Sequence, residues 1–490
     1  MIMRNAVAGV WLALLVAADV LAGAQVMPEF KDVRAQSPEA LPHVELKAII
    51  AEFLDPLDTG LGKSLGYLIW RETLTAISDQ AGAGVIIAEA PPGERLVDML
   101  KNNYHLAAER IARHQRARMA LWGVVEPEGD RVVLETYVSI RDEDGDSQLR
   151  LGLSGKVVAG PPGWGGSGDV SPISALVTRN RFRFAPVNMN RRELFERPLI
   201  TAAPVPVYRR PDQGSEKIAR VGAGKVMQAL DMQGAWFKIA LENGESGYVD
   251  AGGFGNLKVP PRMVVAALNS VNLRAGPGTD HRKVATRPLR GEFLVRDMRY
   301  RPGKGLWYRI DTGERETWVA GWLVKPRFSV PVVHFLAGLM RYYGERPQDG
   351  VDLFEQFLQM TSSGEDNVTL AATNQLLGTC RLLGGGDVEM GYRDFSTAIN
   401  YTPYDPDAYL LRSVAALGSG RAESAIADLD RALQLDPKYL PARRLTAAVA
   451  AISNETNVSA LGILTGLHGH ARDAGELLKR YAIAPDSPPR

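Results

Sequence analysis

Few residues of this 490-residue chain are of types that do nucleophilic or metal chemistry, and they are scattered. The single cysteine, Cys380, lies in a helical context with no neighbouring histidine, which favours a small buried side chain over a nucleophile. His468 and His470 lack a third ligand and the i, i+4 spacing that puts two ligands on one helix face. We therefore predict no catalytic residue, no metal site and no cofactor, and expect that the protein is not an enzyme.

Two short segments imitate ligand-binding loops. Gly60 to Ser64 ends in Gly-Lys-Ser, but a phosphate-binding loop needs a further glycine where the chain has Leu57. We interpret this segment as a loop before a helix whose N-terminus is capped by Thr59 or nearby groups.

Asp142 to Asp146 carries carboxylates, yet Ser147 stands where a calcium-binding EF-hand needs glycine. A polar hairpin tip is the preferred interpretation of that segment.

The overall charge excludes some partners. The chain has 57 Lys and Arg residues against 56 Asp and Glu residues, a net charge of +1. This balance gives no electrostatic reason to bind nucleic acid, so no nucleic-acid partner is predicted. A chain of this length exceeds one hydrophobic core, so we expect several domains.

The N-terminal residues 1–24 have the features of a bacterial signal peptide. Arg4 is followed by an apolar run from Ala6 to Ala18 and by the small residues Ala22 to Ala24. Ala24 stands where a lipoprotein would carry cysteine. We therefore predict a periplasmic or secreted protein with no transmembrane segment in the mature chain, and leave open whether the signal is cleaved.

Residues 45–158 are predicted to form an α/β domain, an N-terminal α/β sandwich. Strand-like runs at 48–53, 84–87, 119–125 and 131–140 alternate at first with amphipathic helical segments, and a further strand begins at Gln148. This order resembles the N-terminal domain of TolB and related CsgG- and FlgO-like envelope modules. The residues that carry this resemblance are Phe53, Gly66, Trp122, Gly123, Val125, Asp130 and Arg131.

After a glycine- and proline-rich linker at 159–198, two segments share one pattern. In the second, Asn272 to Gly278 runs from a strand into a Gly-Pro-Gly turn, and Trp307 to Ile310 and Trp318 to Trp322 follow. This segment, 263–325, resembles the bacterial SH3-like (SH3b) domain. The first, 199–257, is a diverged copy in which Val207-Tyr208-Arg209 stands where Asn272-Leu273-Arg274 stands in the second, and Pro211 to Gly214 replaces the Gly-Pro-Gly turn.

The resemblance implies two small SH3-like β-barrels that bind a ligand through aromatic side chains, either in one composite groove or at two weak sites. Residues on predicted strands, Trp236, Trp307 and Trp318 among them, also suit the barrels' own cores. The candidate ligand-binding residues are Arg274, Trp307, Tyr308, Trp318, Trp322, Trp236 and Tyr248.

From 330 to 482 the pattern becomes helical, with a 34-residue offset that relates Ala398 to Ala432 and Pro403 to Pro437. It resembles the tetratricopeptide (TPR) repeat, whose small residues let paired helices approach closely. The signature positions are Tyr409, Ala416, Gly420, Ala425, Leu429, Ala432 and Pro437. Arg412 departs from the family pattern, which has leucine there.

The sequence therefore predicts a multidomain α+β protein with C-terminal α-helical TPR-like repeats. The resemblances imply a bacterial envelope scaffold or adaptor that binds envelope proteins or peptidoglycan through the barrels and a partner peptide through the repeats. Two alternatives stay open: an activator or regulatory subunit of a cell-wall remodelling enzyme, and a structural part of a secretion or motility assembly. The sequence does not fix the oligomeric state.

Overall fold

The structure is a computed structural model. It describes residues 44, 46–77, 80, 82–88, 104–141, 149–152, 174–177, 181–252, 257–268, 270–288, 291–301, 304–313, 316–344, 346–361, 363–383, 387–439, 442–443 and 445–446. The predicted signal peptide, residues 159–173 and 178–180 of the predicted linker, the Asp142 to Asp146 segment and the pair His468 and His470 lie outside these residues.

The strands and helices are named in chain order. The strands are β1 (Leu46–Ile50), β2 (Ala83–Ile87), β3 (Met119–Glu128), β4 (Arg131–Ile140), β5 (Leu149–Gly152), β6 (Ser174–Val177), β7 (Arg181–Arg183), β8 (Val187–Asn190), β9 (Arg197–Thr201), β10 (Val205–Tyr208), β11 (Lys217–Val221), β12 (Val226–Gln233), β13 (Trp236–Ala240), β14 (Ser246–Asp250), β15 (Leu257–Lys258), β16 (Met263–Ala266), β17 (Ser270–Arg274), β18 (Lys283–Pro288), β19 (Glu292–Arg301), β20 (Gly305–Asp311), β21 (Glu316–Ala320) and β22 (Val324–Arg327). The α-helices are α1 (Leu61–Ala76), α2 (Tyr104–His114), α3 (Arg191–Phe195), α4 (Pro331–Tyr343), α5 (Pro347–Thr361), α6 (Asn367–Leu383), α7 (Val388–Tyr401), α8 (Pro406–Gly418) and α9 (Ala422–Leu435), and Gly321–Leu323 is a 3₁₀ turn.

The chain divides into two compact units. The first is drawn from Met1–Ser139 and Pro186–Leu336, and the second from Ile140–Ala185 and Ala337–Arg490. Most of the sheet structure lies in the first unit, and the paired helices α5 to α9 lie in the second.

An α/β sheet opens the first unit, with strand order β2-β1-β3-β4. β1 pairs in parallel with both β2 and β3, so the chain must cross over between them, and α1 and α2 provide these connections. Every residue of β1 is buried, which is expected of a central parallel strand.

Close packing at Gly123 of β3 fixes this sheet against the segment that follows β1. A Cβ at position 123 would lie 2.2 Å from the Glu135 carbonyl oxygen and 2.3 Å from the buried Phe53 ring. The backbone atom of a neighbouring strand cannot move aside as a flexible side chain can. Position 123 therefore requires glycine.

We expect Gly123→Ala to lower the free energy of unfolding by about 3 kcal/mol, at the upper end of the usual cost of overpacking a core. Gly222→Ala is the matched control, because no heavy atom lies within 4 Å of its Cβ position. Chemical denaturation of the two variants beside the wild type makes the comparison. Equal stability of both variants would contradict this packing.

Two antiparallel sheets follow the α/β sheet, and they share one topology; we call them the first sheet and the second sheet. The first has the order β11-β10-β14-β13-β12-β9-β15, and the second has β18-β17-β21-β20-β19-β16-β22. Each strand of the second sheet therefore corresponds to the strand seven places earlier in the chain, so that β17 corresponds to β10 and β20 to β13. In the residues that the structure describes, neither hydrogen-bonded path closes on itself.

In the second unit, consecutive helices pack as pairs through a small residue opposite a large one. A Cβ at Gly378 of α6 would lie 2.7 Å from the Phe395 ring of α7, and a Cβ at Gly338 would lie 2.8 Å from the Phe354 ring. The same close approach places a Cβ at Gly391 only 3.2 Å from the Gly378 carbonyl oxygen. Glycine at these positions therefore sets how closely the helices approach.

Candidate functional site

The second sheet buries its hydrophobic core on one face. The strands contribute alternate residues to it, which is the expected result of the two-residue period of a strand. The core cluster consists of Val264, Ala266, Val271, Leu273, Phe293, Val295, Tyr308, Ile310, Val319 and Val324. Burial raises the pKa of Tyr308 to about 12, because the phenolate would lose its hydration there.

The opposite face of this sheet carries tryptophans and arginines. Trp318 lies across from Arg274 on one side and from Arg309 on the other, and Trp307 lies across from Arg299. Directly opposed residues share a face, so these side chains form one surface. Trp307 and Trp318 pack together with Ala320 in a cluster separate from the core.

Two exposed side chains cover these buried tryptophans. The Trp322 ring meets the Trp307 ring edge-on at 5.4 Å between centroids, and 56% of Trp322 remains exposed. The Arg299 guanidinium lies 5.3 Å from the centroid of the Trp318 ring. Arg299 also pairs with Asp297 at 3.1 Å, while 59% of its side chain stays accessible to solvent. We call Trp307, Trp318, Trp322 and Arg299 the aromatic surface of the second sheet.

A cationic turn borders the aromatic surface. Arg274 Nη1 donates to the carbonyl oxygens of Thr279 and His281 at 2.9 and 2.8 Å, so Arg274 holds the turn after β17 in place. Lys304 pairs with Asp280 at 2.9 Å, and its hydrogen bond lowers the pKa of that carboxyl. The Arg274 hydrogen bonds and the Asp280–Lys304 ion pair therefore anchor this turn.

The first sheet has the same face with different residues. Tyr208 lies across from Tyr248, which in turn lies across from Lys238. Both sheets also shift register at the same place, between Val207 and Tyr208 and between Leu273 and Arg274. The structural counterpart of Arg274 is therefore Tyr208. The sequence comparison aligned Arg209 there, one residue too far along the chain.

Helix α1 covers this face in the first sheet. Tyr67 of α1 packs against a cluster of Tyr208, Ala235 and Trp236. Ser64, one turn earlier, accepts a hydrogen bond from the Gly234 amide at 2.9 Å and donates to the Met232 carbonyl at 3.3 Å. The helix therefore contributes an apolar contact through Tyr67 and two hydrogen bonds through Ser64 to the edge of the β12–β13 hairpin.

The Gly60 to Ser64 segment allows α1 to pack closely against the sheets. A Cβ at Gly62 would lie 2.1 Å from the Phe53 carbonyl oxygen, so glycine is needed for the close approach of helix and strand. Leu61 N lies 3.4 Å from Thr59 Oγ1, and Asp55 Oδ2 accepts from Gly62 N at 3.5 Å. These residues position α1 on the sheets.

In the second sheet, Trp322 takes the place that α1 has in the first. Gly234 lies in the β12–β13 turn and Gly305 begins β20; each stands two residues before a tryptophan of the strand and has a positive φ, 55° and 70°. The atom nearest to a Cβ at Gly234 belongs to Lys63 of α1, at 3.5 Å, whereas at Gly305 it belongs to Trp322, at 3.2 Å. The Trp322 ring thus lies beside Gly305 where a side chain of α1 lies beside Gly234 in the first sheet.

The structure separates the predicted ligand-binding residues. Trp307, Trp318 and Trp322 lie together, Arg274 borders them, and Tyr308 lies on the core face. Trp236 and Tyr248 belong to the equivalent face of the first sheet.

Sequence reasoning missed Arg299 and the repeated Asp-Met pair that precedes it. Asp297 accepts a hydrogen bond from Met298 N, and Asp231 accepts one from Met232 N in the first sheet. Each aspartate sits where the register shifts and pairs with an arginine, Arg299 in one case and Arg191 in the other. The recurrence of Asp-Met 66 residues apart was the available signal.

The chemically reactive candidates are buried or paired. Burial raises the pKa of the Cys380 thiol far above its usual value, so the thiolate is disfavoured. Among the described residues, no group of three or more His, Cys, Asp or Glu side chains is arranged to hold a metal ion. None of the described helices is both long enough and apolar enough to cross a membrane.

The helix pair α8–α9 contains the signature positions of the repeat. Ala416, Ala425, Leu429 and Ala432 are buried, and Gly420 has φ of 76° in the turn between the helices. The Tyr409 hydroxyl donates to the Pro403 carbonyl at 3.2 Å, and Pro437 follows the end of α9.

Arg412, which replaces the usual leucine, has partners on two neighbouring helices, Asp428 on α9 and Tyr392 on α7. Its guanidinium donates both to Asp428 Oδ2 at 2.8 Å and to Asp428 Oδ1 at 2.6 Å. It also lies 5.5 Å from the Tyr392 ring centroid. A bidentate ion pair therefore replaces an apolar contact at this position.

The chain's own strand β6 lies against the helices α6 and α8. These are the first helices of two successive pairs. A segment of this chain thus already contacts the helical repeat on that side.

Comparison with known proteins gives one family match. Residues 203–254 match the bacterial SH3 domain family. A search of curated proteins found no match to the chain. Solved structures that resemble it include MamA, with 14% identity over 31% of this chain and 78% of that one and a TM-score of 0.23. TTC0263, a TPR protein of Thermus thermophilus, has 21% identity over 31% and 82% of the two chains and a TM-score of 0.24. The first TPR domain of human RPAP3 has 13% identity over 32% and 97%, with a TM-score of 0.20. With TM-scores this low, the structural similarities support no conclusion about this chain.

Proposed function

We propose that this protein is a non-enzymatic adaptor of the bacterial cell envelope. It carries two SH3b-type modules and a TPR-type helical repeat, and it binds an envelope protein or peptidoglycan through the aromatic surface of the second sheet. One observation carries this proposal. The second sheet repeats the strand order of the first sheet, which contains the segment that matches the bacterial SH3 family. In the first sheet α1 covers one face, whereas the exposed Trp322 lies on the equivalent face of the second sheet.

The chemistry of the surface suits binding. A large aromatic ring that is half exposed contributes apolar area to a complex, and guanidinium groups beside it contribute hydrogen bonds and charge. The turn that borders the surface is held by Arg274, so the surface needs little rearrangement to bind. The envelope assignment rests on the signal-peptide features of residues 1–24.

The helical repeat would bind a separate partner segment. Because β6 lies against α6 and α8, a partner that uses this side of the repeat competes with the chain's own strand. Arg412, Asp428 and Tyr392 give the repeat polar groups near the α8–α9 pair.

Incubation of the purified mature chain with peptidoglycan sacculi tests the proposal. We expect the chain to release no soluble muropeptides by itself. Release by the chain alone, scaling with its concentration and kept after further purification, would contradict a non-enzymatic role. Binding to sacculi without release favours peptidoglycan as the ligand.

The same assay separates the alternative function. An added cell-wall hydrolase that releases muropeptides faster in the presence of the chain would show an activator. If the hydrolase rate does not change, the chain is an adaptor that does not regulate the hydrolase. Self-association of the chain in analytical ultracentrifugation would favour a structural part of a larger assembly.

A further inference from the structure

We propose that the second sheet binds an acidic segment of a partner protein, whose carboxylates pair with three cations beside the aromatic surface. These cations are Arg274, Arg282 and Lys283, and we call them the cationic corner. The inference rests on the proposed adaptor function and names the chemistry of the partner at the same site. It comes from a difference in charge between the two sheets at equivalent positions.

The cationic corner adjoins a tryptophan of the aromatic surface. Lys283 of β18 lies directly across from Arg274 of β17, and Arg274 lies across from Trp318 of β21. Directly opposed residues share a face of the sheet, so these three side chains form a row on that face. Arg282 immediately precedes Lys283, and both side chains are exposed. A ligand can therefore reach the corner from solvent.

The cations of the corner have no carboxylate partner. Among the residues that the structure describes from β16 to β22, every carboxylate already forms an ion pair; these are Asp280, Glu292, Asp297, Asp311 and Glu316. Within the described part of the chain, Arg282 and Lys283 form no ion pair, and Arg274 donates to two carbonyl oxygens of the turn. The positive charge of the corner is thus unbalanced, and an anionic ligand would complement it.

The charge of the whole segment has the same sign. Residues 263–327 contain 13 Lys and Arg residues against six Asp and Glu residues, whereas residues 197–258 contain eight against six. The net charge of +1 for the full chain therefore hides a strongly basic second sheet.

The first sheet has the same corner, built on the same backbone. Arg209 N donates to the Glu216 carbonyl oxygen at 2.9 Å, and Ala275 N donates to the Arg282 carbonyl oxygen at 3.0 Å. The register shift of the neighbouring strands also falls at the same place in both sheets. The positions of the two corners can therefore be compared one by one.

The charges at these equivalent positions differ. In the first sheet Arg209 and Glu216 form an ion pair at 2.7 Å, and Lys217, across from the uncharged Tyr208, is the remaining cation. In the second sheet the equivalent positions carry three positive charges and no negative one; they are Ala275, Arg282, Lys283 and Arg274. The sheet with the exposed Trp322 thus has a net charge of three where the sheet that α1 covers has one.

The spacing of the corner suits the carboxylates of a polypeptide. Opposed residues of antiparallel strands have Cα atoms about 4.5–5.5 Å apart. Neighbouring residues of a chain have Cα atoms about 3.8 Å apart, so a run of Asp or Glu places several carboxylates within reach of the corner at once. A ligand with one isolated carboxylate would pair with only one of the three cations. The corner therefore favours an acidic run in a protein.

An acidic peptide tests the inference with the full mature chain. The probe is a fluorescently labelled, glycine- and serine-based peptide with four consecutive glutamates, and the matched probe has four glutamines in their place. Fluorescence anisotropy measures the dissociation constants. We expect the glutamate probe to bind at least about tenfold more tightly than the glutamine probe, and added salt to weaken its binding.

Matched double variants locate the binding at the corner. Arg282→Gln with Lys283→Gln removes two cations of the corner. Lys217→Gln with Arg220→Gln removes two exposed cations from β11, the equivalent strand of the first sheet, and changes the net charge equally. We expect the first double variant to bind the glutamate probe at least about fivefold more weakly, and the second to stay within about twofold of the wild type.

Three results would overturn the inference: dissociation constants above about 1 mM for both probes, equal affinity for both, or equal effects of the two double variants. Thermal unfolding confirms that each variant is folded. Polyphosphate is the competing polymer. If it binds through Arg282 and Lys283 while the glutamate probe does not, the ligand is a phosphate polymer and the inference is wrong.

The adaptor function has a separate measurement, the retention of Trp322→Ala and Tyr300→Ala on bacterial envelopes. Tyr300 is the control because it is 68% exposed but lies across from Leu306, and therefore on the other face of β19. If the peptide probes fail while Trp322→Ala alone loses its retention, the adaptor function stands and only the acidic partner is excluded.

Discussion

Glu72→Ala should lower the free energy of unfolding by about 3–5 kcal/mol, because it leaves a buried guanidinium without its counterion. Arg197 Nη1 lies 2.9 Å from Glu72 Oε1, and the two side chains are 0% and 2% exposed. Glu72 also accepts from Ser329 N at 3.0 Å and from Ser329 Oγ at 2.8 Å. One carboxylate thus links α1, the strand β9 and the segment after β22.

Thermal and chemical denaturation measure this loss. Glu216→Ala is the control, since its ion pair with Arg209 is largely exposed and should contribute little. The double variant Glu72→Met, Arg197→Met removes both charges and should regain part of the stability. If Glu72→Ala unfolds like the Glu216→Ala control, the buried pair does not hold α1 in place.

Acid should destabilise the first unit through His334. This imidazole is fully buried, and its Nε2 accepts a hydrogen bond from Phe328 N at 3.1 Å. Burial, with a smaller contribution from Arg327, lowers the pKa of His334 to about 3. The folded protein therefore keeps this imidazole neutral.

The direction of the pH effect follows from the difference between the pKa of His334 in the folded state and in the unfolded state. The unfolded state binds a proton near its ordinary pKa of about 6.5 and the folded state does not, so stability is full above that pH and falls as the pH drops toward 3. We expect a loss of about 2 kcal/mol between pH 7 and pH 5 from this group. His334→Gln keeps an acceptor for Phe328 N and should flatten that part of the pH profile. A profile as steep as that of the wild type would contradict the assignment.

Much of the local structure follows from sequence periodicity. The alternation in Arg131 to Ile140 predicted β4 with its observed ends, and the helical period after Gly60 predicted α1. The aromatic runs at Trp236 and Trp307 fall on β13 and β20 as expected. In each case the burial of alternate or i, i+3 and i, i+4 positions is a local property that a single segment carries.

The arrangement of the site depended on contacts that no single segment carries. Nothing in the period of α1 shows that Tyr67 and Ser64 lie on a sheet about 170 residues further along the chain. The sequence comparison placed Arg209 opposite Arg274, a shift of one residue from the structural counterpart Tyr208. Because one shift exchanges the two faces of a strand, the counterpart of Arg274 became visible only in the paired strands.

Retention of the purified mature chain by isolated bacterial envelopes tests the central claim most directly. Wild type, Trp322→Ala and Tyr300→Ala are compared on envelopes before and after protease treatment, which removes proteins and leaves peptidoglycan. We expect wild type and Tyr300→Ala to be retained and Trp322→Ala to be lost, and protease treatment then distinguishes an envelope protein from peptidoglycan as the ligand. Equal retention of all three proteins, or retention of none, would show that the aromatic surface of the second sheet is not the binding site.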